Sequence, residues 1–299
     1  YTSNGNGNKL QVTKATKLLD IKNKNTFDNI QKKATNIILK HLDINATYKL
    51  KTGLFKIEDS LSLKDTKNKE EEDKAPDLNN IKQDAYAFLN QHLFGSSSLF
   101  DFVADTFIYI YKIQDVTYMA GKAVYVVHFE PRKGRAKYTG NLYVVEDDYA
   151  IVRVDYEFAE GKKGESLNLK LLLGVKYAEN VNTGTAIYKK NIATNYYHPY
   201  YINQEIGRYA YVHRPLKFIE NGGDKDKIAF DFKLDGNIIE KTEILNFANE
   251  AITEDAYTQL KENNTVDFIK LKQYDPSIWK DFYVMEPLEE LKKFKVEDQ

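Results

Sequence analysis

The stretch from about Phe107 to Phe247 is a succession of strand-like runs, and nothing else in the chain narrows its fold so far. "FIYIYKI", "AVYVVHFE", "YTGNLYVV", "YAIVRVDYEF", "LNLKLLLGVKY", "AIYKKNIATNYY", "RYAYVH", "KIAFDFKL" and "IIEKTEILNF" are rich in β-branched and aromatic residues. The separators carry turn chemistry: Ala120-Gly121-Lys122, Arg132-Lys133-Gly134, Glu146-Asp147-Asp148, Gly161-Lys162-Lys163-Gly164, Asn182-Thr183-Gly184, Asn221-Gly222-Gly223 and Asp235-Gly236. Asp235-Gly236 gives the strongest signal, because both residues of a two-residue hairpin turn need positive φ. Ahead of it Ile228, Phe230, Phe232 and Leu234 share one face, with Asp231 and Lys233 on the other. Short connections without crossover helices imply antiparallel pairing, and so many strands rarely stay flat. The expected fold is mainly β (α+β): a curved antiparallel sheet or half-barrel meander with a few packed helices.

The helices flank this region. Residues 25–42 place Phe27, Ile30, Ala34, Ile37, Ile38 and His41 or Leu42 at helical spacing. "TYKLKTGLFKIED" follows as a strand broken at Gly53, and "DAYAFLNQHLF" predicts a second helix. Further helices are expected from Thr253 and near Pro287, a residue suited to a first helical turn. Between them "KDTKNKEEEDKAPD", residues 64–77, has almost nothing to bury and divides the chain. The expected organisation is an N-terminal helix and strand region over 1–63, a charged loop or linker over 64–77, and a β domain with C-terminal helices over 78–299. Whether 1–63 joins that domain is left open.

Composition excludes several function classes. With 43 basic and 44 acidic residues well mixed, no basic face is expected to track a phosphate backbone, so nucleic acid is not an expected partner. The absence of cysteine removes disulfides, thiolate metal sites and cysteine nucleophiles together. No apolar run is long enough for a transmembrane helix. The lead-in "YTSNGNGN", without a Met, reads as the start of a processed or excised piece of a longer protein.

Two segments carry a resemblance. In "VVHFEPRKGRAKYTGNLYVVEDDYAIVRVDYEF" the residues Phe129, Pro131, Tyr138, Gly140, Leu142, Tyr143, Tyr149, Ala150 and Ile151 stand in one characteristic order. In "YDPSIWKDFYVMEPLEELKKF" Trp279, Phe282, Glu286 and Pro287 do the same. This pattern resembles a Bacteroidetes family of envelope proteins described as carboxypeptidase-like regulatory domain-containing proteins. It covers roughly the second two-thirds of the chain and is weak before Phe107. The resemblance implies export across the inner membrane, a signal and a transthyretin-like sandwich upstream, and a sheet similar to the half-barrels of lipoprotein carriers. It implies no peptidase activity, because the family name records the upstream sandwich.

The candidate sites are few. His41, His92, His128, His198 and His213 show no metal-ligand spacing, and no Gly-x-Ser-x-Gly elbow accompanies any serine. Asn221, Asp224 and Asp226 alternate as in part of a calcium loop but lack its closing Glu. The sequons at Asn45 and Asn263, and Asp59-Ser60-Leu61, are short modification signals. Glu146-Asp147-Asp148 lies between two apolar runs and reads as the solvated tip of a hairpin. The most unusual block is "NYYHPYYINQEIGRYAYVHRP", in which Tyr196, Tyr197, Tyr200, Tyr201, Tyr209 and Tyr211 form either a binding surface or ordinary cross-strand aromatic pairs. No catalytic residue, cofactor or metal is expected. The expected function is that of a non-enzymatic, exported envelope protein, periplasmic or outer-membrane associated, binding an apolar or amphipathic, lipid-like ligand or an envelope protein partner. The alternatives are a scaffold subunit of an outer-membrane complex and a hydrolase with dispersed carboxylates.

Overall fold

A computed structural model of the chain describes residues 2–3, 7–18, 40–43, 45–53, 55–62, 78–95, 98–222, 227–262, 266–282, 285–287 and 289–293. The predicted helix over 25–42 lies mostly, and the charged run over 64–77 wholly, outside the described residues. In chain order the strands are β1 (Thr2–Ser3), β2 (Asn8–Lys9), β3 (Ala15–Leu18), β4 (Thr47–Thr52), β5 (Phe55–Ser62), β6 (Tyr109–Met119), β7 (Lys122–Pro131), β8 (Tyr138–Val145), β9 (Ile151–Phe158), β10 (Ser166–Leu169), β11 (Val175–Lys190), β12 (Tyr197–Glu220), β13 (Lys227–Leu245) and β14 (Phe268–Leu271). The helices are α1 (Leu78–Gln91), α2 (Asp101–Ala104), α3 (Lys170–Leu173), α4 (Glu254–Gln259) and α5 (Glu289–Lys292). The protein is mainly β, with a large antiparallel sheet that is not closed.

Two compact units divide the chain: Tyr1–Lys9, Ile81–Val212 and Leu234–Leu260 form the first, and Leu10–Asn80, His213–Lys233 and Lys261–Gln299 the second. In the first, β6, β7, β8 and β9 make the expected up-and-down meander, β9 pairs β11, and β11 pairs β12. β10 folds back on the start of β11, and β13 flanks β12. Irregularities between Ile113 and Asp115, Tyr143 and Val144, and Glu179 and Val181 interrupt the register. Each adds local twist and bends its strand. At Gly140 on β8 a Cβ would lie 1.9 Å from the Asp155 carbonyl oxygen on β9, so only glycine permits this approach.

Several expected boundaries are corrected. Asp235-Gly236 makes no hairpin: β13 runs through it, and the Tyr209 hydroxyl donates to the Asp235 carboxylate at 3.0 Å. Asn182-Thr183-Gly184 lies inside β11, where Gly184 leaves room for the Asn203 carbonyl, 2.3 Å from the position of a Cβ. "LNLKLLLGVKY" is two strands joined by the helical turn α3, closed by Gly174 at φ 63°. "AIYKKNIATNYY" likewise holds a turn after Lys190, with the Asn191 side chain accepting from Ala193 N at 2.9 Å. The large sheet is antiparallel as expected, and a separate two-stranded sheet in the second unit pairs β14 parallel to β3.

Alternation decides which side of the first unit's sheet is apolar. Phe129, Tyr138, Leu142, Val154, Tyr156, Ala186, Tyr188 and Ile202 point one way and pack against Phe88 of α1 and Phe102 of α2. Phe102 stacks on Phe129 with centroids 4.1 Å apart, and Tyr138 stacks on Phe158 at 5.2 Å. α2 is anchored by polar contacts as well: the Tyr109 hydroxyl donates to Asp101 at 2.7 Å, and Tyr111 donates to the Phe102 carbonyl. α4 begins at Thr253, whose hydroxyl accepts from Ala256 N at 3.2 Å. In the second unit β4 pairs β5 and the end of β12, and Leu50, Leu216, Ile228 and Phe230 pack against a small core of Leu42, Tyr48 and Phe218. Trp279 and Phe282 there meet edge to face, with Lys14 Nζ 4.9 Å from the Phe282 ring.

Candidate functional site

The six tyrosines singled out from the sequence lie on β12 or just before it, and the fold gives the five on the strand separate local partners. Tyr196 precedes the strand and is exposed. Register with β11 sets Tyr197 opposite Lys190, Tyr201 opposite Ile187, Tyr209 opposite Ala178 and Tyr211 opposite Lys176, while Tyr200 sits at an irregularity. The Tyr197 hydroxyl donates to Asp148 at 3.0 Å and that of Tyr201 to Glu243 at 2.7 Å. Lysine ammoniums lie over four of the rings: Lys189 at 3.2 Å from Tyr200, Lys170 at 4.1 Å from Tyr211, Lys176 at 5.2 Å from Tyr209 and Lys190 at 5.3 Å from Tyr197. Burial raises the pKa of Tyr197 and Tyr201, and the hydrogen bond to Asp235 raises that of Tyr209, so all three stay protonated donors.

Tyr201 belongs to a larger arrangement on the face of the sheet opposite α1 and α2. There His128, Asn141, Asp155, Thr185 and Asn203 stand opposite one another in register across β7, β8, β9, β11 and β12. Asp155 accepts from the Thr185 hydroxyl at 2.7 Å and from Arg153 Nε at 3.0 and 2.9 Å. The guanidinium of Arg153 lies 5.1 Å from the Tyr143 ring centroid. Asn203 accepts from Thr185 N at 3.0 Å and donates to the Tyr201 hydroxyl at 3.0 Å, which continues to Glu243. His128 Nδ1 is 3.2 Å from the Asn141 side-chain oxygen. All these side chains are half-buried, so the row is fixed in shape yet reachable. The sequence shows these residues on the polar side of their strands, but only the register brings them into one row.

A second polar array lies on the covered face. His92, at the end of α1, is fully buried. Its Nδ1 lies 2.7 Å from the Phe88 carbonyl, which can only accept, so the proton sits on Nδ1 and Nε2 accepts from the Tyr156 hydroxyl at 3.1 Å. Gln204 bonds Tyr156, receives Gln91 Nε2 on its oxygen at 3.1 Å and donates to Asn182 Oδ1 at 3.0 Å. Asn182 Nδ2 then donates to the Tyr138 hydroxyl at 3.2 Å and to Glu179 at 3.1 Å. Burial lowers the pKa of His92 to about 4 and raises those of Tyr138, Tyr156 and Tyr188. At neutral pH His92 and these tyrosines carry no charge, and the array works as a fixed hydrogen-bonded strut between α1 and the sheet. Sequence reading missed it, although Asn182 and Gln204 occupy inward positions next to Ala186 and Ile202, where a polar residue calls for a partner.

The remaining candidates resolve locally. Glu146, Asp147 and Asp148 form the turn between β8 and β9, as expected. Each has its own neighbour: Tyr125 on Glu146 at 2.9 Å, Lys122 on Asp147 at 2.9 Å and Lys190 on Asp148 at 2.8 Å. The bond from Lys190 holds the Asp148 carboxyl below the usual carboxylate range. His213 contacts Asp231 at 3.0 Å, and the buried Nδ1 of His198 has no hydrogen-bond partner among the described residues. Asp224 and Asp226, and the sequon at Asn263, lie outside the described residues, and the side chains of Asp59-Ser60-Leu61 are likewise not described. Among the described residues no three His, Asp or Glu side chains gather as a metal site, and no helix is long and apolar enough to cross a membrane. Comparison with family models, curated proteins and solved structures gives no match.

Proposed function

We propose that the protein is a non-enzymatic binding protein of the cell envelope, exported across the inner membrane, which holds a protein partner at the outer membrane through the face of its sheet opposite α1 and α2. The observation that carries this reading is the Arg153–Asp155–Thr185–Asn203–Tyr201–Glu243 row, which offers donors and acceptors in a geometry fixed by backbone register before any partner arrives. Preorganised groups of this kind lose little entropy on binding. Arg and Tyr are also the side chains most enriched where protein surfaces meet. The apolar face, where a carrier would seat a lipid, is occupied by Phe88, Phe100 and Phe102, which favours a partner over an enclosed ligand.

The test is affinity purification of the tagged full-length protein from its own envelope, with proteins and lipids identified together. A stoichiometric protein should co-purify with wild type and be lost with Asp155→Ala and Asn203→Ala, while both variants keep wild-type circular dichroism. Retention of that protein by both folded variants refutes the assignment to this face. Recovery of neither protein nor lipid with wild type refutes the binding reading itself.

A further inference from the structure

One end of the first unit combines three features that the partner reading leaves unused. β10 and β11 form a hairpin, Leu169 opposite Val175, whose tip is the single turn α3. Gly174 N donates to the Lys170 carbonyl at 3.0 Å, and the left-handed conformation of Gly174 closes the turn. At that tip Leu171 is 102% and Leu172 82% exposed, and Leu167 on the adjoining strand is 48% exposed. Isolated exposed leucines are common on soluble proteins. Two in succession on a hydrogen-bonded tip, both almost fully exposed, are a different object.

Basic residues outnumber acidic ones around this hairpin. The β9–β10 loop meets the foot of this hairpin, where Gly164 N donates to the Glu179 carbonyl at 2.9 Å, and the β7–β8 loop is joined to it by Ala159 N donating to the Lys137 carbonyl at 2.9 Å and Lys162 Nζ to the Gly134 carbonyl at 2.9 Å. They and the hairpin present Arg132, Lys133, Lys137, Lys163, Lys170 and Lys176 against Glu160, Glu165 and Glu179, in a chain whose formal net charge is only −1. Arg135 is already paired with Asp105 at 2.6 Å. Behind the leucines, Lys170 and Lys176 lie along the rings of Tyr211 and Tyr209. Lys176 stands directly opposite Tyr211 across the strands, one residue on from the pair that closes the hairpin below its tip.

We infer that this end is a docking surface for a bilayer containing anionic phospholipids, with Leu171 and Leu172 entering the acyl boundary and the basic loops and tyrosine–lysine pairs resting at headgroup level. The order from tip inward, apolar then amphipathic aromatic with long cations, is the order of polarity met on entering a bilayer from its core. Shallow insertion plus attraction of cations to anionic lipid is how proteins bind membranes without crossing them. The surface shares no residue with the Asp155 row, so it stands or falls independently of the partner reading.

Sedimentation with vesicles of phosphatidylethanolamine and phosphatidylglycerol, against vesicles of phosphatidylcholine alone, tests the inference. Wild type should pellet with the anionic vesicles and be released progressively by salt. Leu171→Ser/Leu172→Ser should weaken binding by about tenfold or more through lost apolar transfer, and Lys133→Glu/Lys163→Glu should remove most of the salt-dependent part. Because Leu171 and Leu172 are exposed, the serine variant should unfold at the wild-type temperature. A Leu172→Trp probe in a Trp279→Phe background should shift its emission to the blue on adding anionic vesicles, which adsorption by charge alone does not produce. The inference is overturned if wild type fails to pellet, if the serine variant pellets as wild type does, or if the Leu172→Trp emission does not move.

Discussion

Protonation of His92 should weaken the first unit in a defined pH window. The imidazole is fully buried with its pKa lowered from 6.5 to about 4, chiefly by desolvation and against an opposing hydrogen bond to the Phe88 carbonyl. A base whose folded pKa lies below its unfolded value binds its proton more readily in the unfolded chain. Unfolding therefore takes up a proton once the pH falls below about 6.5, and stability declines from there until it levels near pH 4. The full linkage is about 3 kcal/mol, and about 2 kcal/mol of it is lost between pH 7 and pH 5. Carboxylates elsewhere titrate in the same range, so the assay must be differential. Urea unfolding of wild type and His92→Gln should be followed from pH 8 to about pH 4.5. The stability difference between them should be constant above pH 7 and move by about 2 kcal/mol in favour of the variant by pH 5. A difference that stays constant across the whole range would refute the argument. So would an imidazole proton resonance of His92 that titrates at its ordinary midpoint.

Three substitutions probe the packing. Gly140→Ala places a methyl 1.9 Å from the Asp155 carbonyl oxygen and should cost about 3 kcal/mol or more, read as a large drop in urea midpoint or loss of soluble protein. Phe102→Ala removes a fully buried ring stacked on Phe129 and should cost about 3–5 kcal/mol by the same measurement. Tyr149, at the acidic turn, has φ 55° with its side chain 76% exposed, so Tyr149→Gly should raise the thermal midpoint slightly, by relief of up to about 1 kcal/mol of backbone strain.

Local pattern was most informative where hydrogen-bonded neighbours are also neighbours in sequence. β6 to β9 follow the alternation of their own residues, and the acidic turn sits where Leu142, Val144, Val152 and Val154 leave it. Asp235-Gly236 and Asn182-Thr183-Gly184 misled for one physical reason: glycine serves a close backbone approach as readily as a turn, and dipeptide chemistry does not separate the two. The partners of Asp155, His92 and Gln204 depend on register between strands far apart in the chain, which no local window contains. The tyrosine block was visible as composition, yet its division among Asp148, Glu243 and Asp235 follows from those same distant pairings.

The strut under α1 has a consequence in time as well as in space. Gln91 and its partner Gln204 are 113 residues apart, so during synthesis α1 precedes its hydrogen-bonding acceptor by roughly 6 to 20 s. For that interval the ring of Phe88 and the imidazole of His92 have only part of their final surroundings, and the apolar side of β7, β8 and β9 has no finished neighbour. A chain cut before Tyr197 would contain the residues of α1 and of β6 to β9 but lack the strand that supplies Ile202 and Gln204. β12 thus brings the inward Ile202 and Gln204 long after α1 is made, and β13 follows it with Ile244 against the same core.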